Sequence, residues 1–148
     1  MGLREKWNKY MKIRKANSKD ILALFSLWQV AGLSVLPYEE EKRVTEQTIQ
    51  RNPFACFVMV EKNQIIGSIL GGFNGRVGSI NRLAIDPLYQ GKGYGTLLLK
   101  KVEEILKKKG ARKTVLEVEP AHADLITYYA KHGYEDVRDK YILLKKTL

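Results

Sequence analysis

The sequence predicts a mixed α+β (α/β) domain, built on a central, mostly antiparallel twisted sheet of six to seven strands with about four helices. Three observations predict this class. Apolar runs of strand length alternate with segments of helical periodicity along the chain. Three consecutive strand-like runs are separated by turn signals, which favours an antiparallel meander. An amphipathic helix then links the fourth strand to the fifth, and such a crossover implies one parallel pair.

The first third of the chain predicts one strand and two helices. Residues 11–16 alternate apolar and charged side chains, as a half-buried strand does. Asn17 or Ser18 can cap the following helix, whose apolar residues recur at helical spacing to Ala31. A second helix is predicted over residues 37–51, because three glutamates open it and acidic side chains suit a helix N-terminus.

The middle of the chain predicts the antiparallel meander. Its strand-like runs are rich in β-branched and apolar residues, which favour strands. A short polar turn separates the first two runs, and Asn74-Gly75 is a strong hairpin signal before the third. The predicted strands are residues 54–61, 65–70 and 79–85.

The last third predicts the crossover helix and the remaining strands. Leu98, Val102 and Leu106 form the apolar stripe of that helix, and Gly110 ends it. The predicted elements are helix 96–109, strand 113–118, helix 125–131 and a terminal hairpin of strands 134–137 and 141–144. Residues 1–10 are predicted to be an N-terminal arm, and residues 11–148 a single domain.

The composition favours a cytoplasmic enzyme or binding domain. The chain has 148 residues, 45% of them hydrophobic, which suffices for one core. No apolar run approaches the roughly 20 residues of a membrane helix, and the charged N-terminus does not resemble a signal peptide. The single cysteine, Cys56, excludes an internal disulfide and is expected to be a buried strand residue rather than a nucleophile.

The charge balance favours acidic partners without identifying one. Lysine and arginine number 26 against 16 acidic residues, which gives a net charge of +10. Nucleotide phosphates, nucleic acid and acidic proteins all suit such a chain. The basic residues are scattered, however, so a solvated lysine-rich surface explains most of them and specific nucleic-acid binding is not expected. Two histidines and one cysteine offer no metal-ligand spacing, so no metal is expected.

A glycine-rich loop, Q-G-K-G-Y-G over residues 90–95, is the strongest functional signal. It follows a predicted strand and an Asp86-Pro87 turn, and it precedes the crossover helix. Glycines leave backbone N–H groups unshielded, and a helix N-terminus adds partial positive charge. Strand, loop and helix therefore predict a cradle for a diphosphate. The alternative is a tight turn that needs positive φ.

Two familiar nucleotide-binding patterns do not fit this loop. The dinucleotide pattern G-x-G-x-x-G requires a third glycine where Thr96 stands. The Walker pattern G-x-x-x-x-G-K-[ST] is absent from the loop.

The pattern that does fit is Q/R-x-x-G-x-G/A after a strand that ends in Asp-Pro. It resembles motif A of the GNAT family of N-acetyltransferases. Leu116-Glu117-Val118 is similar to that family's fifth strand, and residues 129–134, Y-A-K-H-G-Y, resemble its Y-E-K-L-G-F signature. The resemblance covers residues 11–148. It extends to small bacterial and archaeal acetyltransferases and to the ribosomal-protein N-terminal acetyltransferases.

This resemblance implies a GNAT fold with a parallel pair of fourth and fifth strands, and acetyl-CoA as cosubstrate. It implies that the backbone of Leu83, Ala84 and Ile85 pairs with the pantetheine arm, although ordinary core packing also explains their side chains. The implied pyrophosphate loop comprises Gln90, Gly91, Lys92, Gly93, Tyr94, Gly95 and Thr96. His122 stands where the family usually has an asparagine that helps hold the cofactor, which puts that contact in doubt.

The resemblance also implies the catalytic residues. Tyr129 is implied as the general acid that protonates the leaving thiolate, with Tyr128 as its neighbour and rival. Glu117, 12 residues before Tyr129, is implied as the base that takes a proton from the amine. Glu119 on the same predicted strand face is its rival, and a water could serve instead. Each residue could also be a surface or core side chain without a catalytic role.

The predicted function is direct acetyl transfer from acetyl-CoA to a primary amine. The acceptor stays open between a protein N-terminus or lysine and a small amine. The net charge argues mildly against polycationic acceptors. The alternative is a non-catalytic acyl-CoA-binding or basic nucleic-acid-associated module of the same fold. A dimer is conceivable, but the sequence does not indicate the oligomeric state.

Overall fold

The computed structural model describes residues 10–148, which form two compact units, one ending at Leu116 and the other spanning Glu117–Leu148. The predicted arm lies outside the described residues except for Tyr10. The first unit carries a five-stranded sheet and three α-helices, and the second unit carries one short α-helix. The elements are β1 Met11–Lys15, α1 Ile21–Val30, α2 Tyr38–Arg51, β2 Cys56–Glu61, β3 Gln64–Phe73, β4 Gly78–Ile85, α3 Tyr94–Lys108, β5 Thr114–Val115 and α4 Leu125–Ala130.

The sheet has the order β1-β2-β3-β4-β5, with antiparallel neighbours up to β4 and a parallel β4–β5 pair. This confirms the predicted meander and the parallel crossover. The turn between β2 and β3 has both central residues, Lys62 and Asn63, at positive φ, which is the twist that a two-residue hairpin requires. No α-helix among residues 10–148 is long and apolar enough to cross a membrane.

The predicted strand count is wrong. Five strands form among the described residues, because residues 134–137 and 141–144 do not become strands. The Val137 carbonyl instead accepts the N–H groups of Lys140 and Tyr141, and the Asp136 carboxylate accepts the N–H of Arg138. These local bonds close a turn, and neither segment takes part in a strand ladder. The predicted strand 113–118 also shortens to Thr114–Val115.

The core lies on both faces of the sheet in the first unit. Side chains of α1, with Trp28 fully buried, pack with Cys56, Val58 and Leu70 on one face. Gly71, the next residue of β3, points to the opposite face, where α3 packs. A Cβ atom on Gly71 would lie 2.6 Å from Val102 Cγ1 and 3.0 Å from the Ala55 carbonyl oxygen. The glycine thus permits the close approach of α3 to the sheet.

We expect Gly71→Ala to lower the free energy of unfolding by about 1–3 kcal/mol, because the added methyl overpacks the contact with Val102. Urea denaturation monitored by circular dichroism measures this loss. Gly72→Ala is the matched control, since its Cβ would meet the Ser79 hydroxyl, which can rotate away. Equal losses in the two variants would contradict the close-approach account.

Candidate active site

A β-bulge interrupts β4 just before the segment predicted to bind the cofactor. Ser68 pairs with Ala84 and Leu70 pairs with Asn81, so Arg82 and Leu83 together oppose one residue of β3. Arg82 has φ +53, in the left-handed region that few non-glycine residues adopt. The bulge therefore bends β4 and changes the direction of the backbone that follows it.

The segment Leu83, Ala84 and Ile85 presents one backbone edge without a strand partner. In the described residues, β4 pairs with β5 at Gly78 and Ser79 alone, and the ladder ends there. The other edge continues to pair with β3. Ala84 is buried, whereas Leu83 and Ile85 are half-buried. The side chains of this segment thus pack in the core. One edge of its backbone has no strand beside it, because the ladder with β5 ends at Ser79.

The connection between β4 and α3 is held in place by its own polar side chains. Asp86 accepts the N–H of Leu88 and caps the 3₁₀ turn Pro87–Tyr89. The side-chain amide of Gln90 donates to the Ile85 carbonyl at 2.9 Å. Gln90 therefore ties the start of the glycine loop to the end of β4, a structural role that the sequence did not indicate.

Two glycines of the loop have positive φ, as both a cradle and a tight turn require. Gly91 and Gly93 have φ of +78 and +83, and a Cβ atom on either would meet no protein atom within 4 Å. Gly93 is the N-cap of α3 and provides no side-chain cap. The loop therefore leaves open space directly before a helix N-terminus.

The helix end and Lys92 favour an anion at the loop, whereas the Glu61 and Asp86 carboxylates, which raise the pKa of the neighbouring Tyr89, oppose one. The first turn of α3 contains no acidic side chain that would neutralise the positive end of the helix dipole. Lys92 is exposed, and its ammonium lies 5.6 Å from the centre of the Tyr89 ring. The side chain of Tyr94 is buried in the core, and Gly95 and Thr96 are half-buried. This combination is suited to a phosphate group.

In the second unit, the end of α4 holds Tyr129 through a Schellman motif. Gly133, at φ +88, donates to the Ala130 carbonyl, and the N–H of Tyr134 donates to the Tyr129 carbonyl. The rings of Tyr134 and Tyr129 pack edge to face with centroids 5.6 Å apart. Gly133 and Tyr134 thus fix the position of Tyr129, which gives a physical reason for the Y-A-K-H-G-Y pattern.

The Tyr129 phenol is buried, and this changes its acidity. Burial, with a smaller contribution from Tyr128, raises its pKa from 10.0 to about 12. The hydroxyl is therefore protonated throughout the neutral pH range, and the raised pKa also makes it a weaker acid than an exposed tyrosine. Tyr128 is half-buried, and its ring contacts those of Tyr129 and His132.

The other predicted site residues of this unit lie before α4. Glu117 and Glu119 are exposed, and neither lies on a strand because β5 ends at Val115. The predicted shared strand face of the two glutamates is therefore wrong. His122 is half-buried at the end of the 3₁₀ turn Pro120–His122, and its N–H donates to the Glu119 carbonyl at 2.8 Å.

Cys56 lies in β2 as predicted and is fully buried. Its thiol donates weakly to the Gly71 carbonyl, and burial raises its pKa to about 11. A thiol with this pKa is a poor nucleophile at neutral pH. Among residues 10–148, no three histidine, cysteine or acidic side chains are grouped as metal ligands.

A group of residues around the bulge escaped prediction from sequence. The half-buried Arg82 forms one network with the buried residues Glu41, Trp28 and Ser68, although the four come from two helices and two strands. The signal in the sequence is weak: a glutamate in an otherwise polar helix and an arginine inside an apolar strand.

The model of the Acetyltransferase (GNAT) family matches residues 21–134, most of the chain. The chain therefore belongs to the GNAT family of acetyltransferases and is an acetyltransferase.

Individual relatives agree with this assignment. An acetyltransferase of Sodalis glossinidius is 29% identical over 138 residues, which are 93% of this chain and 96% of that protein. A predicted acetyltransferase from Clostridium acetobutylicum, solved with acetyl-CoA, has a TM-score of 0.71 at 23% identity and covers 91% of this chain and 96% of that one. An aminoglycoside acetyltransferase from a soil metagenome, solved with trehalose, has a TM-score of 0.69 at 18% identity, with coverage of 95% and 98%. At these identities the solved structures show a shared fold.

Proposed function

We propose that the chain transfers an acetyl group directly from acetyl-CoA to a primary amine, acting in the cytoplasm as one catalytic domain. The observation that carries this proposal is the loop of Gly91 and Gly93, which opens onto the uncapped N-terminus of α3. The pyrophosphate of acetyl-CoA would lie there, near Lys92. The bulged end of β4 supports the proposal, because amide groups of the pantetheine arm can pair with a free strand edge.

In this proposal, Gln90 to Thr96 hold the pyrophosphate, and Leu83, Ala84 and Ile85 hold the arm. His122 takes the place of the cofactor-holding asparagine. Lys92 supplies the formal positive charge of the loop. Because its side chain is exposed, solvent and salt would screen its attraction to a phosphate. Gln90 acts indirectly, since its amide already binds the Ile85 carbonyl.

In the proposed reaction, a base takes one proton from the amine and an acid gives one proton to the leaving thiolate. The amine nitrogen attacks the thioester carbonyl carbon, and the carbon–sulfur bond then breaks. Tyr129 donates its phenolic proton to the leaving CoA thiolate, which is chemically suitable because the phenol is protonated at neutral pH. Glu117, directly or through water, accepts the proton that the amine loses. The products are an amide and CoA thiol.

For the base, we expect Glu117→Gln to lower kcat/KM by about tenfold to a hundredfold, because the amide cannot accept the proton of the amine. Steady-state thiol release measures this at saturating acetyl-CoA. Glu119→Gln is the matched control, being exposed and two residues away. A larger loss in Glu119→Gln would identify Glu119 as the base. Unchanged rates in both variants would mean that neither glutamate is the base and that water accepts the proton.

The acceptor is tested with a panel of amines. Peptides with free N-termini or lysines, neutral monoamines and polycationic amines are each incubated with acetyl-CoA, and released thiol and acetylated product are measured. The net charge of +10 favours the peptides and neutral amines over polycations. Thiol release without any acetylated amine would indicate hydrolysis and would contradict amine transfer.

A further inference from the structure

A network of hydrogen bonds and one ion pair connects the bulge of β4 to the segment between α1 and α2. Glu41, Trp28 and Ser68 are buried, and Arg82 is half-buried. The Arg82 guanidinium donates from Nη2 to Glu41 Oε1 at 2.8 Å and from Nη1 to the Ser34 carbonyl at 2.6 Å. The same guanidinium lies over the fully buried Trp28 ring, 4.6 Å from the ring centre. The side chain of Arg82 is thus fixed on three sides.

The partners of Arg82 are themselves fixed. The second carboxylate oxygen of Glu41 accepts the N–H of Leu36 at 2.8 Å, and the Glu41 side chain is 3% exposed. Trp28 Nε1 donates to the Ser68 hydroxyl, which in turn donates to the backbone carbonyl of Arg82 at 2.7 Å. The backbone and the side chain of Arg82 are therefore both held by groups that make further hydrogen bonds of their own.

We propose that Arg82 is a positioning residue for acetyl-CoA. Its φ of +53 is unfavourable for any residue with a Cβ, so the bulge requires contacts that hold it. The ion pair to Glu41 and the hydrogen bond from Ser68 supply those contacts. The bulge in turn sets the direction of the backbone at Leu83, Ala84 and Ile85. This inference rests on the proposed function, since those three residues are the proposed site of the pantetheine arm.

Two variants can distinguish the backbone conformation of Arg82 from the contacts that its side chain makes. Glycine adopts positive φ without strain, so Arg82→Gly keeps the bulge but releases the tether to Ser34 and Glu41. Arg82→Ala releases the same tether and leaves the strained backbone held by the Ser68 hydrogen bond alone. The two variants remove the same contacts and differ in whether the bulge conformation survives.

We expect Arg82→Ala to weaken acetyl-CoA binding by about tenfold or more, measured as Kd by titration calorimetry, and Arg82→Gly to weaken it by about threefold or less. Both variants are expected to lower the melting temperature. A merely structural role would lower the melting temperature in both and leave both Kd values near that of the wild type. Binding in Arg82→Ala at the wild-type Kd, or equal weakening in Arg82→Gly, would overturn the proposal.

Ser68→Ala provides a second test that keeps the ion pair intact. It removes the hydrogen bond to the Arg82 carbonyl and leaves Glu41 and Arg82 paired. We expect its acetyl-CoA Kd to rise about threefold or more, and a wild-type Kd would count against the proposal. These results are distinct from failure of the proposed function, in which the wild-type chain itself would not bind acetyl-CoA.

Discussion

Replacement of Tyr129 by phenylalanine is expected to lower kcat by about a hundredfold or more and to leave the Kd for acetyl-CoA within about threefold. The phenol is the proposed donor to the leaving thiolate, and phenylalanine has the same ring without the proton. The ring contacts with Tyr128 and Tyr134 are preserved, so the fold is expected to survive. Thiol release at saturating substrates measures kcat, and calorimetry measures Kd.

Tyr128→Phe is the control for this prediction. Tyr128 is the neighbour of Tyr129 on α4 and carries the same functional group, so its variant reports non-specific damage to the helix. We expect it to retain kcat within about threefold. Unchanged turnover in Tyr129→Phe would rule out the proposed general acid, and a large loss in Tyr128→Phe alone would transfer the role to Tyr128.

The raised pKa of Tyr129 also has a consequence at alkaline pH. The folded chain keeps this proton up to about pH 12, whereas the unfolded chain loses it near pH 10.0. The contribution of the buried phenol to stability is therefore present below pH 10 and is lost as the pH rises toward 12. The general acid does not limit activity at moderately alkaline pH, so an alkaline decline there would come from another group.

Gly93→Ala is expected to weaken acetyl-CoA binding by about tenfold or more. No protein atom lies within 4 Å of the position of its Cβ, so the added methyl would project into the space proposed for the pyrophosphate. The positive φ of Gly93 adds a conformational cost of about 1–2 kcal/mol for alanine. Titration calorimetry measures the affinity, and thermal unfolding measures the stability.

Gly110→Ala is the matched control at the other end of α3. Gly110 also has positive φ, and its Cβ would also meet no protein atom within 4 Å. The two variants should therefore lose similar stability, while Gly93→Ala alone loses affinity. Equal affinities in the two variants would place the pyrophosphate elsewhere.

The elements that the sequence predicted correctly depend on local signals. α3 follows from its apolar stripe and from the glycines on either side of it. The β2–β3 hairpin follows from a two-residue polar turn between apolar runs. These signals depend on a few neighbouring residues, so they can be recognised in the sequence without knowledge of the rest of the fold.

The elements that the sequence did not predict depend on distant partners. The buried face of α2 consists of Glu41, Thr45 and Ile49, and two of these three residues are polar. Glu41 can be buried because Arg82 pairs with it, and that partner is 41 residues away in sequence. The short apolar segments after Gly133 were predicted to be strands, but their composition carries no information on whether a partner strand exists.

The candidate site also contains some residues that local sequence signals predicted and others that depend on distant partners. The glycine loop could be predicted from residue chemistry, and its conformation in the structure agrees with a cradle. The bulge at Arg82 leaves no local signal, since arginine is not a residue that favours positive φ. Tyr129 and Glu117 were implied by family resemblance, and their catalytic roles stay predictions.

The most direct test of the account is the melting temperature of the wild-type chain with and without acetyl-CoA. A ligand that binds the folded state at about 100 times its Kd stabilises it by about 2.7 kcal/mol, which raises the melting temperature by several degrees in a domain of this size. Because the chain carries a net charge of +10, citrate at the same ionic strength, which has neither a diphosphate nor a pantetheine arm, controls for non-specific anion binding. The account predicts a clear increase with acetyl-CoA and little with citrate. No increase with acetyl-CoA, or equal increases with both, would contradict the proposed acetyl-CoA site.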